Sequence, residues 1–216
     1  MSAPSPTRRG AARHSELLDA LVDLLLAEGF AHLTLDELAG RLRCSKRTLY
    51  ALAGSKEQLV RTAVVHFFER ATTRVEAAVA AVAAPADRVA AYLRAVAAEL
   101  APASARFFDD MAAFPPAAEV YARNTEAAAR RVGDLIGEGV AGGAFREVPV
   151  SFAAEVITAT MVAIQQRRIA GTTGLADAEA YEALATLLLH GLTQDCPTTH
   201  GPSQVRPPSG TRRRLP

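Results

Sequence analysis

Apolar residues recur along this chain at spacings of three and four rather than alternating at two, the period of helices that bury one face. Over residues 13–28, Leu17, Leu18, Leu21, Val22 and Leu25 form such a stripe, Gly29 supplies a stop, and Phe30 is placed to plug a core. Thr34 opens the next helix with a capping box, T-x-x-E to Glu37, and Leu33 before the cap is set to staple onto Leu38. Leu35, Leu38, Ala39 and Leu42 give this helix one apolar face, and it must end near Leu42 because Ser45 is positioned to cap another. That third helix, over residues 45–51, buries Leu49 and leaves Lys46, Arg47, Thr48 and Tyr50 outside. Gly54 breaks it, and Ser55 caps a fourth helix with Gln58 at the capping-box position, running to about Val82 before Pro85. Further helices are predicted over residues 87–100, 103–114, 117–140, 150–170 and 177–192, with Pro102, Pro115 and Pro116 at breaks and a turn over residues 171–174. The chain thus reads as an all-α fold of about nine helices.

Composition narrows this picture. A hydrophobic content of 50% over 216 residues supports a real core, whereas residues 1–12 and 193–216, rich in proline and arginine, have too little apolar surface to order themselves. They are expected to be a flexible basic arm and a disordered tail. A net charge of +1 excludes a uniformly basic nucleic-acid binder, so any such role must rest on local clustering. Cys44 and Cys196 have neither CxxC partners nor a histidine at ligand spacing, so reduced thiols and no metal or cofactor are expected. No stretch reads as a signal peptide or membrane span, and a cytoplasmic location is expected.

Charge is concentrated in one place. Residues 41–56 hold Arg41, Arg43, Lys46, Arg47 and Lys56 and no acid, whereas elsewhere acids and bases alternate. Two short helices joined by a tight turn, the second presenting basic and hydroxyl groups, is the arrangement that enters the DNA major groove. Lys46 and Arg47 lie in the first turn of the third helix, the end that points at base edges, while Thr48 and Tyr50 offer hydroxyls to phosphate. Lys56 opens the fourth helix, where the helix dipole also favours a phosphate.

The run T-L-D-E-L-A-G-R-L-R-C-S-K-R-T-L-Y, followed by G-S-K-E-Q-L, resembles the DNA-binding domain of the TetR family of transcriptional regulators over about residues 13–70. The resemblance implies a three-helix domain over residues 13–58, with its helix-turn-helix at about 34–53, on a larger helical ligand-binding and dimerisation domain over 59–192. It further implies a homodimer, a palindromic double-stranded operator, and release from DNA when a small apolar or amphipathic molecule binds: a ligand-responsive repressor and not an enzyme. Arg43, Ser45, Lys46, Arg47, Thr48, Tyr50 and Lys56 are the expected DNA-binding residues. Two departures stand out: Arg43 occupies a turn position that is often glycine in the family, and Leu52 and Ala53 replace a frequent His-Phe pair.

Residues 59–192 show no catalytic motif. His66 and His190 are isolated, and the adjacent Asp109 and Asp110 point to different helix faces. Phe107, Phe108, Met111 and Phe114 gather aromatic and flexible groups in a chain poor in both, which suggests one wall of a ligand pocket, with Tyr121, Met161 and Gln165 opposite. Val156, Ile157, Thr160 and Ile164 on one helix, and Leu184, Leu187, Leu188 and Leu192 on the last, form two apolar faces expected to build a four-helix dimer interface. An intramolecular core is the competing use of the same faces.

Overall fold

The structure is a computed structural model that describes residues 6–193, with side chains from residue 13 onward. Ten helices are present among the described residues: α1 (Pro6–Glu28), α2 (Leu35–Arg41), α3 (Lys46–Leu52), α4 (Lys56–Ala80), α5 (Pro85–Leu100), α6 (Ala105–Ala113), α7 (Pro115–Ala141), α8 (Val150–Gln165), α9 (Arg168–Thr173) and α10 (Asp177–Leu192). The first begins at Pro6 rather than near residue 13, so part of the expected flexible arm is helical, with proline at the position that needs no amide partner. Cys196 and the expected tail over residues 194–216 lie outside the described residues. Pro85 and Pro115 likewise start α5 and α7 instead of standing before them.

The expected helix over residues 150–170 is divided. Gln165 is buried and its amide donates to the Tyr181 hydroxyl at 3.0 Å, and two residues later Arg167 turns left-handed at a φ of 57°. The short α9 then runs to Gly174, itself at a φ of 75°.

Two hydrophobic cores result. The first gathers Leu18, Leu21, Leu25, Leu38, Leu49 and Phe67 from α1 to α4, together with Phe107, Phe108 and Met111 from α6 and Ala117 and Val120 from α7. The second lies among α4, α5, α7, α8 and α10, around Leu93, Leu135, Ile157 and Tyr181. The boundary expected at residue 58 is therefore not a break in packing: α4 crosses it, and α6 completes the core of the N-terminal domain. His66 and Arg70 of α4 each meet the Asp19 carboxylate of α1 at 2.8 Å and pin the two helices together. Hydrogen bonding to His66, and then the Arg70 charge, hold that carboxyl below its ordinary value.

A chain of aromatic rings runs through the first core to Tyr121 of α7. Phe30, in the loop after α1, contacts Phe107 edge to face at 6.2 Å, Phe107 contacts Phe67 at 6.3 Å, Phe67 contacts Phe68 at 5.0 Å, and Phe68 contacts Tyr121 at 6.2 Å. No helix among the described residues is long and apolar enough to cross a membrane.

Candidate nucleic-acid interface and interior cavity

Short-range hydrogen bonds set the start of each helix around the basic stretch. The Thr34 hydroxyl accepts from the Glu37 amide at 3.2 Å while Glu37 accepts from the Thr34 amide at 2.7 Å, completing the expected capping box. Those bonds from Thr34 hold the Glu37 carboxyl below its ordinary value. Ser45 caps α3 through the Thr48 amide at 3.1 Å, and Ser55 caps α4 through the Gln58 amide at 3.2 Å. The Gln58 side chain reaches back to the Gly54 amide at 3.0 Å, one residue before the cap it was expected to complete.

The turn between α2 and α3 is a Schellman motif. The Cys44 amide donates to the Ala39 carbonyl at 3.0 Å and the Arg43 amide to the Gly40 carbonyl at 3.2 Å, which places Arg43 at the position where glycine is favoured. Arg43 accordingly sits at a φ of 50°. An L-residue there costs about 1 kcal/mol relative to glycine. Arg43→Gly is therefore expected to raise unfolding stability by about 1 kcal/mol, read from the denaturant midpoint, while lowering the salt dependence of DNA binding by about one phosphate contact.

With this turn set, α3 buries Leu49 and exposes Lys46, Arg47, Thr48 and Tyr50, the last half exposed. The Ser45 and Thr48 hydroxyls are 2.8 Å apart and partner one another. The basic groups are less bare than the acid-free stretch suggests, because acids arrive from neighbouring helices. Lys46 pairs with Asp36 at 2.6 Å, and Arg41 with Glu28. Both pairs are exposed, so each is held weakly. Lys56 donates to the Ala31 carbonyl at 3.0 Å, and two of its three donors remain for an anion. Leu52 and Ala53, the second of the two departures, pack at the margin of the first core.

Asp110 of α6 closes the domain from the far side, a role that its sequence position does not announce. Its Oδ2 accepts from the Phe30 amide at 2.6 Å and the Ala31 amide at 2.8 Å. Gly29, at a φ of 76°, makes room for it, since a Cβ there would lie 2.5 Å from that same oxygen. The loop leading to α2 is thus held by Asp110 on its amides and by Lys56 on its carbonyl.

Residues 17–63 match the family model of bacterial regulatory proteins of the tetR family. The N-terminal domain belongs to the TetR family. It is the DNA-binding domain of transcriptional regulators, and α2 and α3 are its helix-turn-helix. A comparison with curated proteins gives no match. Among solved structures, a protein from Saccharomonospora viridis in complex with choline shares 15% identity over 86% of this chain and 100% of its own, with a TM-score of 0.72. The TetR-family regulator PfmR from Thermus thermophilus shares 22% over 82% and 99%, with a TM-score of 0.59. The ketosteroid transcriptional regulator KstR2 of Mycobacterium tuberculosis shares 19% over 85% and 96%, with a TM-score of 0.58. The helical domain behind the TetR-family domain therefore has the fold of these proteins.

That helical domain encloses a cavity of about 110 Å³ between α4, α5, α7 and α8. Tyr121, Met161 and Gln165 line it. Phe107, Phe108, Met111 and Phe114 do not: the first three are buried in the core of the TetR-family domain, and Phe114 stacks edge to face on Phe30 at 6.0 Å. The aromatic walls come instead from Phe67, Phe68 and Tyr92. Polar lining is also present: Tyr121 donates to the Gln165 carbonyl, and Glu76, Glu99 and Arg131 reach the wall. Burial pushes the Tyr92 phenol up to about 12, and the Tyr121 phenol upward, so both are neutral donors at physiological pH.

The two faces expected to form a dimer interface are partly turned inward. Ile157, Ile164, Leu184 and Leu192 are buried in the second core, and Leu188 is half-buried against it. Val156 and Leu187 remain exposed, joined by Phe152, which the periodicity did not single out. Thr160 is half-buried and its hydroxyl donates to the Val156 carbonyl at 2.8 Å.

Proposed function

We propose that the protein is a ligand-responsive transcriptional repressor that binds a palindromic operator as a homodimer and releases it when a small apolar or amphipathic molecule enters the cavity. The ring chain from Phe30 to Tyr121 carries this reading, because one end abuts the loop that positions the helix-turn-helix and the other forms the cavity wall. Helix α4 spans the same distance, with Lys56 at its first turn and Phe67 and Phe68 at the cavity. A ligand that parts α4 from α7 shifts both connections, and only a difference in its affinity for the two arrangements drives release. Lys46 and Arg47 read base edges, while Thr48, Tyr50, Arg43 and Lys56 hold backbone phosphates. Phe152, Val156 and Leu187 from each subunit form the dimer contact, which sets two recognition helices one helical turn apart on DNA. The fold by itself names no effector, since its solved examples include one with choline and a ketosteroid regulator.

The test is operator binding, measured by fluorescence anisotropy on DNA recovered by genome-wide affinity selection. Tyr50→Ala and Lys56→Ala should each weaken binding by roughly 1–3 kcal/mol with the dimer intact. Arg47→Ala should in addition flatten the preference between operator and mismatched sequences. Unchanged binding in all three would overturn the assignment.

A further inference from the structure

Three charged side chains line the cavity: Glu76, Glu99 and Arg131. Two of them satisfy one another. Arg131 grips Glu76 through contacts of 2.9, 3.0 and 3.2 Å and also lies 3.6 Å from Glu138, so its charge is already met by protein. Glu99 is different. Its side chain is only 15% exposed, yet its cation is Arg74, itself 58% exposed and no closer than 3.3 Å. A long contact to a solvated guanidinium holds weakly and is easily exchanged. The cavity therefore presents one carboxylate with no cation of its own lining, beside the rings of Phe67, Phe68, Tyr92 and Tyr121.

The charge requirement follows from desolvation. A ligand that fills the cavity strips water from Glu99, and a neutral ligand leaves that carboxylate with the long Arg74 contact alone while an anionic one opposes it. A cation supplies the missing charge, displaces Arg74 into solvent, and meets ring faces that attract positive charge. The cavity, at about 110 Å³, is of the same order as the roughly 150 Å³ that accommodates benzene, so the apolar body that fits is about one small ring. Resting on the reading of this cavity as the effector site, we propose that the effector is a small organic cation, an alkylammonium with a body of about one six-membered ring, held by Glu99. Phe68, Thr72 and Asn124 also line an outer groove between α4 and α7, which gives such a molecule its way in.

The experiment compares three probes of one shape and different charge: cyclohexylammonium, cyclohexanol and cyclohexanecarboxylate. Each is titrated calorimetrically into the full chain, and into Glu99→Gln and Arg74→Ala chains checked for folding by circular dichroism. The expected result is that the cation binds roughly tenfold or more tightly than the alcohol, and that Glu99→Gln removes the difference. Arg74→Ala, which frees Glu99, should tighten the cation by roughly threefold or more and leave the alcohol unchanged. The proposal is overturned if the alcohol or the carboxylate matches the cation, if no cation binding is detected, or if cation affinity ignores Glu99→Gln. Operator release by the wild-type chain separates this outcome from that of the repressor reading. Glu99-dependent cation binding that leaves the operator bound keeps the ligand class and removes the effector role. Release by cyclohexanol without response to the cation keeps the repressor and overturns the ligand class.

Discussion

A Leu187→Asp chain is expected to be monomeric and to bind its operator about a hundredfold to ten-thousandfold more weakly than the parent. Leu187 is the most exposed large apolar residue among those described, at 71%, with Phe152 close behind at 68%. Both lie on the faces of α10 and α8 that the second core does not use. A carboxylate at the centre of an apolar contact between two copies must be desolvated without a partner, and its own symmetry mate stands nearby, so association fails. Within one subunit the same substitution lies in solvent and costs little. The loss on DNA then follows from effective concentration: the second recognition helix no longer arrives with the first. Light scattering gives the mass and anisotropy the affinity. A dimer that survives, or a monomer that binds as well as the parent, would exclude this face.

The second large effect is expected at Asp110. Asp110→Ala removes the acceptor of two backbone amides, Phe30 and Ala31, at the entry to the helix-turn-helix. Each hydrogen bond to a charged acceptor contributes on the order of 1.5–3 kcal/mol, and one of the two amides is exposed, so a loss of about 2–4 kcal/mol is expected. For a chain of this size that corresponds to a fall in melting temperature of roughly 5–15 °C. Both amides meet the same oxygen, which an asparagine carbonyl can replace, so Asp110→Asn should recover about half of the loss. The alanine chain should also bind operator more weakly at temperatures where it remains folded, because the loop then keeps only the Lys56 hydrogen bond and the packing of Phe30. Equal melting of the alanine and parent chains would show that the clamp does not carry the domain.

Which of these residues were visible in the sequence depends on how far apart their partners lie. Thr34, Ser45 and Ser55 are legible because a cap and its amide are three residues apart, and Arg43 because the resemblance marks its turn position as one often held by glycine. Asp110 was not, since its partners are 79 and 80 residues away and nothing local marks it. The aromatic cluster on α6 fills the first core rather than a ligand wall, and composition does not separate the two because cores and ligand cavities draw on the same side chains. The charged lining has no sequence signal because Glu76, Glu99 and Arg131 come from three helices and converge only in three dimensions. Ile157, Ile164, Leu184 and Leu192 show the same ambiguity for the dimer, since a helix with apolar residues on more than one side does not declare which faces its own chain.

The sharing of one core between α1 to α4 and α6 bears on the order in which this protein is made. A ribosome that has released residues 13–70 has delivered every group expected to touch DNA, but neither Phe107 and Met111, which fill the centre of that core, nor Asp110, which latches it. Until about residue 120 emerges, the recognition helix is attached to an unfinished base, and its folding waits on contacts that are distant in sequence. The DNA-binding domain thus gains its complete core only after the first part of the helical domain has been made.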